Sequence, residues 1–298
     1  MVASGPAGPR RRLGAELRRL RNGAGFHLDH VAGQLRCSTS KISRLETGKG
    51  VPKAADVRAL MQLYDVTGDA ERDMLLRLVR ESRTEGWWES YTDGVAPDPF
   101  VLDVRSRYTA LETDASAVRA FDLAALHGLL QTAAYSEAVL SAQLPHHSAQ
   151  EIAQLVELRV RRQDRLWSAD PLRLTSVVDE SVLFRLVGGP EVMDAQMRHL
   201  LDLMELPHVD VRILPFTAGI RRAHVGHFVL LEIPDDLGSD LVYIEGHAGD
   251  AFLEVESDVD LYRDVFHDAL ARCFDAGGSR DAVRRSAALF APPRKATP

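Results

Sequence analysis

The feature that most constrains the fold is the stretch GFHLDHVAGQLRCSTSKISRLETGKGVP, residues 25–52. Apolar residues recur at helical spacing on both sides of its RCS segment, which predicts two short helices joined by a turn. Ser38 is a good N-cap for the second helix, and Gly48 suits the left-handed position after its end. Ala32 has a small side chain that lets the two helices cross closely. The stretch therefore predicts a helix-turn-helix unit.

Further helices are predicted on either side of this unit. Residues 13–21 and 54–64 repeat apolar side chains at helical spacing, and another helix begins near Gly68. The sequence therefore predicts a mainly α module of about five helices over residues 13–83. Residues 1–12, which precede it, are predicted to be a disordered tail.

Charge is distributed unevenly along the chain, whose formal net charge is −7. Residues 1–60 contain 12 Lys and Arg against 4 Asp and Glu, whereas the remaining residues contain 24 against 39. A basic module joined to an acidic body is typical of a polyanion binder with a separate regulatory part. A solvated arginine tail at residues 10–12 would give the same charge, so charge alone leaves both interpretations open.

The sequence shows no pattern typical of a signal peptide, a membrane helix or a disulfide. No apolar run follows the N-terminal arginines, and no apolar stretch approaches the roughly 18 residues of a membrane helix. The two cysteines, Cys37 and Cys273, lie far apart, which favours reduced thiols over a disulfide. We therefore expect a cytoplasmic protein with no membrane contact.

Residues 108–280 are predicted to form an α+β domain with a small mixed sheet covered by helices. A turn-rich linker over residues 84–107 separates it from the first module, and residues 281–298 are predicted to be a C-terminal tail. Alternating apolar residues predict strands at 172–179, 209–216, 227–234 and 240–247. Helical periodicity predicts helices at 108–121, 148–167, 190–205 and 259–274.

The order of these elements predicts how the strands pair. A helix at 190–205 connects the first two strands, so the crossover rule predicts that they are parallel. The last two strands are joined by a short polar segment and are predicted to form a hairpin. Ser148 with Glu151 is a capping-box signal at the start of the long helix.

The first module resembles the helix-turn-helix of the xenobiotic-response-element (XRE) type, which has the lambda-repressor-like fold. The segment STSKISRLETG carries this resemblance. It implies that the second helix of the unit is the recognition helix, which lies in the major groove of DNA. By this resemblance, DNA contacts are expected from Ser38, Thr39, Ser40, Lys41, Ser43, Arg44 and Lys49. Leu28 stands where the family often has a phosphate-contacting Gln, and His27 replaces the usual Ser or Thr cap. A helical pack with no role in DNA binding is the alternative.

The rest of the chain resembles the large C-terminal domain of actinobacterial helix-turn-helix regulators, including WhiJ-like developmental regulators. The segments that carry the resemblance are WWESYTDG, GLLQTAAY, VVDESVLFRLVGGPEVMDAQMRHLLDL, VDVRILPF and GHFVLLEIPDD. The resemblance implies a transcriptional regulator linked to development or antibiotic production. It also implies a small partner protein encoded by a neighbouring gene, in an antitoxin-like arrangement. His127 stands where this family usually has a proline.

Several polar residues of the large domain are candidates for contact with a ligand or partner. They are Gln131, Thr132, Arg159, Arg162, Glu180, His227 and Glu245. Each also has a structural interpretation. The GLLQT segment is a packed helix cap, and the arginines form a solvated helix face. Glu180 starts a helix at 181–187, His227 is a strand-edge residue, and Glu245 pairs with an arginine. A site formed by His224 and His227 with Glu245 or His247 lacks the spacing of a zinc motif, so neither metal nor cofactor is predicted.

Enzymatic activity is not expected, although Glu180 and Glu245 could on paper form a general acid/base pair. The sequence contains no nucleophile elbow, phosphate loop or dinucleotide fingerprint. The leading hypothesis is a homodimeric regulator that reads two half-sites of a double-stranded operator, while its large domain senses a small protein or ligand. One alternative is an antitoxin-like protein that sequesters a small partner and regulates its own gene. Another is an enzyme domain fused to a DNA-binding head.

Overall fold

A computed structural model describes residues 7–48, 50–83, 86–95, 104–234, 239–246 and 249–291. Five helices form the N-terminal part: α1 Ala7–Gly23, α2 Leu28–Gln34, α3 Thr39–Glu46, α4 Ala54–Leu63 and α5 Asp69–Glu81. They enclose one apolar core, whose fully buried members include Leu17, Val31, Ile42, Val57 and Leu75. The prediction of a mainly α module with about five helices is confirmed.

The C-terminal part combines helices and strands in an α+β fold, as predicted. Its helices are α6 Glu89–Thr92, α7 Val104–Asp114, α8 Ala133–Gln143, α9 Ala149–Arg162, α10 Pro190–Leu203, α11 Glu256–Leu270 and α12 Ala276–Phe290. Its strands are β1 Ala117–Asp122, β2 Arg173–Asp179, β3 Val209–Leu214, β4 Phe228–Glu232, β5 Leu241–Ile244 and β6 Ala251–Leu253.

The six strands form one mixed sheet in the order β3-β2-β1-β4-β5-β6. Strands β1, β2 and β3 are parallel, and β4, β5 and β6 continue the sheet in antiparallel pairs. The predicted parallel pair β2–β3 and the predicted hairpin β4–β5 are both confirmed. Because β5 is antiparallel to β4, which is antiparallel to β1, the strands β1, β2, β3 and β5 all end at the same edge.

Helices cover both faces of this sheet. Alternate residues of a strand point to opposite faces, so Val178 joins one core with Met197 of α10 and Val283 of α12. Val177 joins a second core on the other face, with Phe266 of α11. Within the described part of the chain, no helix is long and apolar enough to cross a membrane.

Three segments of the C-terminal part differ from the prediction, and the first is α6, a short helix within the predicted linker of residues 84–107. The helix predicted over residues 108–121 does not continue through residues 117–121. Residues 117–122 instead form β1, the strand between β2 and β4. A central strand is buried on both faces, so it lacks the alternating pattern that marks a strand in sequence. Residues 276–290 form α12 instead of a tail beginning at 281, and this helix buries Ala282 and Val283. It lies along β3, where Ser279 Oγ accepts a hydrogen bond from the backbone N of Ile213 at 3.1 Å, and it thereby covers an edge of the sheet.

The first helix also begins earlier than predicted. Helix α1 starts at Ala7, so residues 7–12 are helical and are not part of a disordered tail. Pro9 is compatible with this start because the first turn of a helix needs no backbone N–H donors. The additional turn packs against α7 of the C-terminal part.

Candidate nucleic-acid interface

Helix α3 presents one face to the protein core and one to solvent. Ile42 and Leu45 are buried, while Thr39, Ser40, Lys41 and Arg44 are exposed. Ser38 caps the helix, with its Oγ accepting a hydrogen bond from the backbone N of Lys41 at 3.2 Å. Gly48 follows in the left-handed conformation, at φ 66°, as predicted. The helix is therefore held by its apolar face and both ends, with its polar face open.

A buried ion pair fixes the end of α3 to α1. Arg21 donates to the two carboxylate oxygens of Glu46 at 2.6 and 2.9 Å, and to the carbonyl of Phe26 at 2.8 Å. The hydrogen bonds to Glu46 raise the pKa of Arg21. Glu46 thus has the structural role for which it was omitted from the expected DNA contacts. At Gly14 of α1, a Cβ would lie 2.6 Å from the carbonyl oxygens of Leu45 and Glu46, so the two helices cross as closely as backbone allows.

A cleft runs beside the exposed face of α3. Lys41 Nζ lies 2.9 Å from Asp56 Oδ2 of α4, which positions its ammonium group at the cleft. Arg44 lines the cleft, together with Val51 and Lys53 from the segment that leads into α4. The sequence analysis did not identify Lys53 or Asp56, because no local signal shows that the start of α4 approaches α3.

The remaining expected DNA contacts are less exposed or are not described. Ser43 is half-buried, and its carbonyl accepts a hydrogen bond from Thr47 Oγ1 at 2.8 Å. Lys49 lies outside the described residues. His27 is the N-cap of α2 without a side-chain capping bond, consistent with the departure seen in sequence.

This geometry suits the major groove of DNA, which admits one α-helix. Thr39, Ser40 and Lys41 lie in the first turn of α3, the part of a recognition helix that meets base edges. Arg44 lies one turn further and carries the planar guanidinium that pairs with guanine in two hydrogen bonds. The hydroxyl and ammonium groups of the same face can donate to phosphate oxygens.

The candidate ligand residues of the GLLQT segment belong to an internal network. Gln131 Nε2 donates to the carbonyl of Leu126 at 2.6 Å, and Gln131 Oε1 accepts from Arg159 Nη1 at 2.9 Å. Thr132 caps α8, and its side chain accepts from the backbone N of Tyr135. The structural interpretation of this segment, a packed helix cap, therefore matches what these side chains do.

Arg162 lies in the same network. It donates to the Glu112 carboxylate in two hydrogen bonds of 2.7 Å, and both side chains are almost fully buried. Burial alone would raise the pKa of Glu112, but the charge and hydrogen bonds of Arg162, together with smaller effects of His127 and Tyr108, outweigh it and the pKa is lowered. Burial also lowers the pKa of the neighbouring His127 to about 3. Ligand contact at Arg162 would require breaking this pair, so that contact stays a prediction.

Glu180, His227 and Glu245 lie at the edge where β1, β2, β3 and β5 end. Glu180 follows β2 and Glu245 follows β5, three strand spacings away, or about 14 Å. Two carboxylates that work as an acid/base pair lie within roughly 10 Å of each other. The backbones of Glu180 and Glu245 thus lie about 14 Å apart. The Glu180 carboxylate accepts a hydrogen bond from the backbone N of Phe216, on the β3 side and away from β5.

The two histidines at this edge are hydrogen-bonded within the protein. His224 Nε2 lies 3.1 Å from Asp179 Oδ2, and His227 Nδ1 lies 2.8 Å from the carbonyl oxygen of Phe121. His227 Nδ1 is also 3.7 Å from Asp122 Oδ1, and burial raises the pKa of Asp122 to about 6. Over the described ranges, no three His, Cys, Asp or Glu side chains are grouped so that they could hold a metal ion. His247 lies outside those ranges.

Comparison with protein families gives two matches. Residues 105–285 match DUF5753, a domain of unknown function, and residues 12–75 match a helix-turn-helix domain. The first match covers more than half of the chain. Searches of curated proteins and of solved structures found no match.

Proposed function

The chain belongs to the family defined by the DUF5753 domain and has a helix-turn-helix domain at its N-terminus, and from this premise we propose that it is a sequence-specific DNA-binding transcriptional regulator. The observation that carries the proposal is the exposed polar face of α3, with Lys41, Arg44 and the neighbouring Lys53 at one cleft. The basic balance of residues 1–60 supports it, because phosphate attraction needs only a local positive face.

The finer features of this function rest on the sequence resemblance. The head is of the XRE, lambda-repressor-like type, and the protein is a WhiJ-like actinobacterial regulator of development or secondary metabolism that acts in the cytoplasm. It binds as a homodimer, so that two recognition helices enter successive major grooves about 34–36 Å apart. No cofactor is required.

The C-terminal domain acts as a sensor of a small protein or ligand and has no catalytic role. The separation of Glu180 from Glu245, and the hydrogen bond of Glu180 to the Phe216 backbone, support the absence of a catalytic role. Sensing requires that the partner bind more tightly to one conformational state of the protein than to another. Only such differential affinity can change how much of the helix-turn-helix domain is in the state that binds DNA.

An antitoxin-like function is the second candidate, in which the C-terminal domain chiefly sequesters a small protein and DNA binding is autoregulatory. Exposed apolar side chains on the loops after β2 and β3 favour a protein partner. Deleting the neighbouring small gene separates the candidates: an unchanged transcript profile and no copurifying partner would exclude the antitoxin-like function.

DNA binding can be tested with the full chain. Selection from a random double-stranded library should yield a defined site, and binding to it should weaken as salt rises. Arg44→Ala should cost about 1–3 kcal/mol of binding free energy and relax specificity at one base pair. Lys41→Ala should weaken binding to all sequences and reduce the salt slope by about 1.

Arg77→Ala is the matched control, since Arg77 is an exposed arginine of α5 within the same N-terminal part. It should leave both affinity and specificity unchanged. If the full chain selects no site and shows no salt-dependent affinity for any duplex, or if Arg77→Ala weakens binding as much as Arg44→Ala, the proposed use of α3 is wrong.

A further inference from the structure

Exposed apolar side chains are concentrated on two loops of the C-terminal domain. Eleven large apolar residues are exposed over the described ranges, and five of them lie on the loops that follow β2 and β3. We name these five the apolar rim: Phe184, Leu186, Phe216, Ile220 and Val225. Scattered single residues of this kind are ordinary, whereas a group on adjoining loops marks an interaction surface.

The two loops of the rim adjoin each other. Strands β2 and β3 are neighbours and parallel, so the loops leave the sheet side by side. Phe184 and Phe216 are stacked, with ring centroids 6.4 Å apart, although both remain exposed. Glu180 Oε2 accepts a hydrogen bond from the backbone N of Phe216 at 2.7 Å and ties one loop to the other.

The second loop is also held in place by its own polar contacts. His224 Nε2 lies 3.1 Å from Asp179 Oδ2, at the end of β2. His224 Nδ1 accepts a hydrogen bond from the backbone N of Arg221 at 2.9 Å, and Arg221 Nε donates to the carbonyl of Ala218 at 2.9 Å. The exposure of Ile220 and Val225, at 89% and 93%, therefore belongs to a loop that is already ordered by these bonds. A preorganised apolar surface loses less conformational entropy when a partner covers it.

The unpaired charges on the two loops of the rim are positive, whereas the first turn of α11, which packs against the second loop, carries Glu256 and Asp258. Arg185 and Arg222 lie on the same two loops, both are exposed, and neither has an ion-pair partner in the described part of the chain. Glu180 is the acidic residue of these loops, and its carboxylate is engaged by the backbone of Phe216. The rim is thus a basic and apolar surface on a domain whose sequence is otherwise acidic.

We propose that the apolar rim, with Arg185 and Arg222, docks an acidic amphipathic segment of a partner protein. This inference rests on the proposed sensing function and specifies the surface and chemistry of the partner. Apolar side chains of the segment cover Phe184 and Phe216, and its carboxylates pair with the two arginines. A second copy of this chain suits the surface less well, because a two-fold contact sets the same patch against itself and faces arginine with arginine.

The test uses the full chain and short fluorescein-labelled peptides, followed by fluorescence anisotropy. Two peptides combine Leu and Phe with Glu, one at helical and one at alternating spacing, and each has a counterpart with Lys in place of Glu. The parent should bind at least one acidic peptide about tenfold more tightly than its Lys counterpart. Phe216→Ser should abolish this binding, and the double variant Arg185→Glu, Arg222→Glu should reverse the preference toward Lys.

Val160→Ser and Arg198→Glu are matched controls, because both residues are exposed on helices away from the rim. They should leave peptide binding unchanged, and unfolding curves should show that all variants fold. DNA affinity, measured without peptide, should be equal in the parent and the rim variants, which separates failure of this proposal from failure of DNA binding.

Three results overturn the proposal. The first is that the parent binds acidic and basic peptides equally or binds neither, or that the control variants lose as much peptide binding as the rim variants. The second is self-association of the parent that Phe216→Ser abolishes, which would make a second copy the occupant. The third is binding to phosphatidylcholine–phosphatidylglycerol vesicles that the same substitution abolishes, which would make the rim a membrane contact.

Discussion

Removal of Glu46 should destabilise the N-terminal domain far more than its position at the end of a short helix suggests. Its side chain is 5% exposed and that of Arg21 is 11% exposed, so neither charge is well solvated. In Glu46→Ala, the guanidinium of Arg21 keeps the carbonyl of Phe26 and loses both carboxylate contacts. Breaking a buried ion pair from one side costs about 3–5 kcal/mol. That is a large part of the roughly 5–15 kcal/mol that stabilises a typical domain.

The position of the tryptophans allows a direct assay. All three, Trp87, Trp88 and Trp167, follow the helix-turn-helix domain, and Trp88 packs against Ala110 and Leu158 of the C-terminal part. Tryptophan fluorescence in urea therefore follows the C-terminal part, whereas far-ultraviolet circular dichroism follows helices of both. We expect Glu46→Ala to shift an early transition in circular dichroism and leave the fluorescence transition in place.

The double variant Arg21→Met, Glu46→Leu is the matched control. It removes both charges together, and replacing a buried pair with apolar residues of similar size is often neutral or stabilising. The double variant should therefore recover most of the stability lost in Glu46→Ala. Two results would contradict a stabilising role for the buried Arg21–Glu46 pair. One is a cost below about 1 kcal/mol for Glu46→Ala, and the other is a double variant as unstable as the single one.

Two further predictions concern packing at Gly14 and burial of the Asp122 carboxylate. Gly14→Ala should cost about 1–3 kcal/mol in urea denaturation, because its Cβ would press on backbone of α3, whereas Gly33→Ala, with open space around its Cβ, should not destabilise α2. Asp122→Asn should stabilise the C-terminal domain at neutral pH. The pKa of Asp122 is raised to about 6, so the folded state binds the extra proton and the parent loses stability as pH rises from about 4 to about 6. The variant's advantage over the parent should grow by up to about 3 kcal/mol across that range and then level off, as measured by urea titrations at several pH values. An advantage independent of pH would contradict burial of the charged form as the cause.

The parts of the fold that could be predicted are those specified by local signals. Ser38 caps α3 and Gly48 takes the left-handed conformation after it, because each residue acts on backbone within a few positions. Ser148 forms the predicted capping box with Glu151. Alternation also located β2, β3, β4 and β5, and the crossover rule gave the direction of β3.

The parts that could not be predicted depend on distant residues. The sequence of β1 contains Ala117 and Ala120 and is buried on both faces, so it carries no period-two pattern. Its conformation is fixed by pairing with β2 and β4, which lie more than 50 residues later. Helix α12 is similarly specified by the edge of β3 that it covers.

The same distinction applies to the candidate sites. Helical periodicity identified which side chains of α3 face outward, and their exposure follows from the burial of Ile42 and Leu45. Arg162 was a candidate ligand residue because its partner, Glu112, lies 50 positions away and gives no sign in sequence. A charged residue can be assigned to a ligand only after the structure shows what else it contacts.

Helix α1 provides a physical route by which the C-terminal domain can influence α3. Its residue Gly14 lies against the end of α3, and one turn earlier Arg11 donates a hydrogen bond to the carbonyl of Ser239, just before β5. A close-packed helix cannot shift at one contact and stay fixed at the other. A partner on the apolar rim changes DNA affinity by this route if the state that it favours holds α1 differently. Arg11→Ala should reduce the effect of a bound peptide on DNA affinity without changing the affinity for the peptide itself, measured by anisotropy with each ligand labelled in turn. An undiminished effect in this variant would mean that the coupling between rim and recognition helix does not pass through this contact.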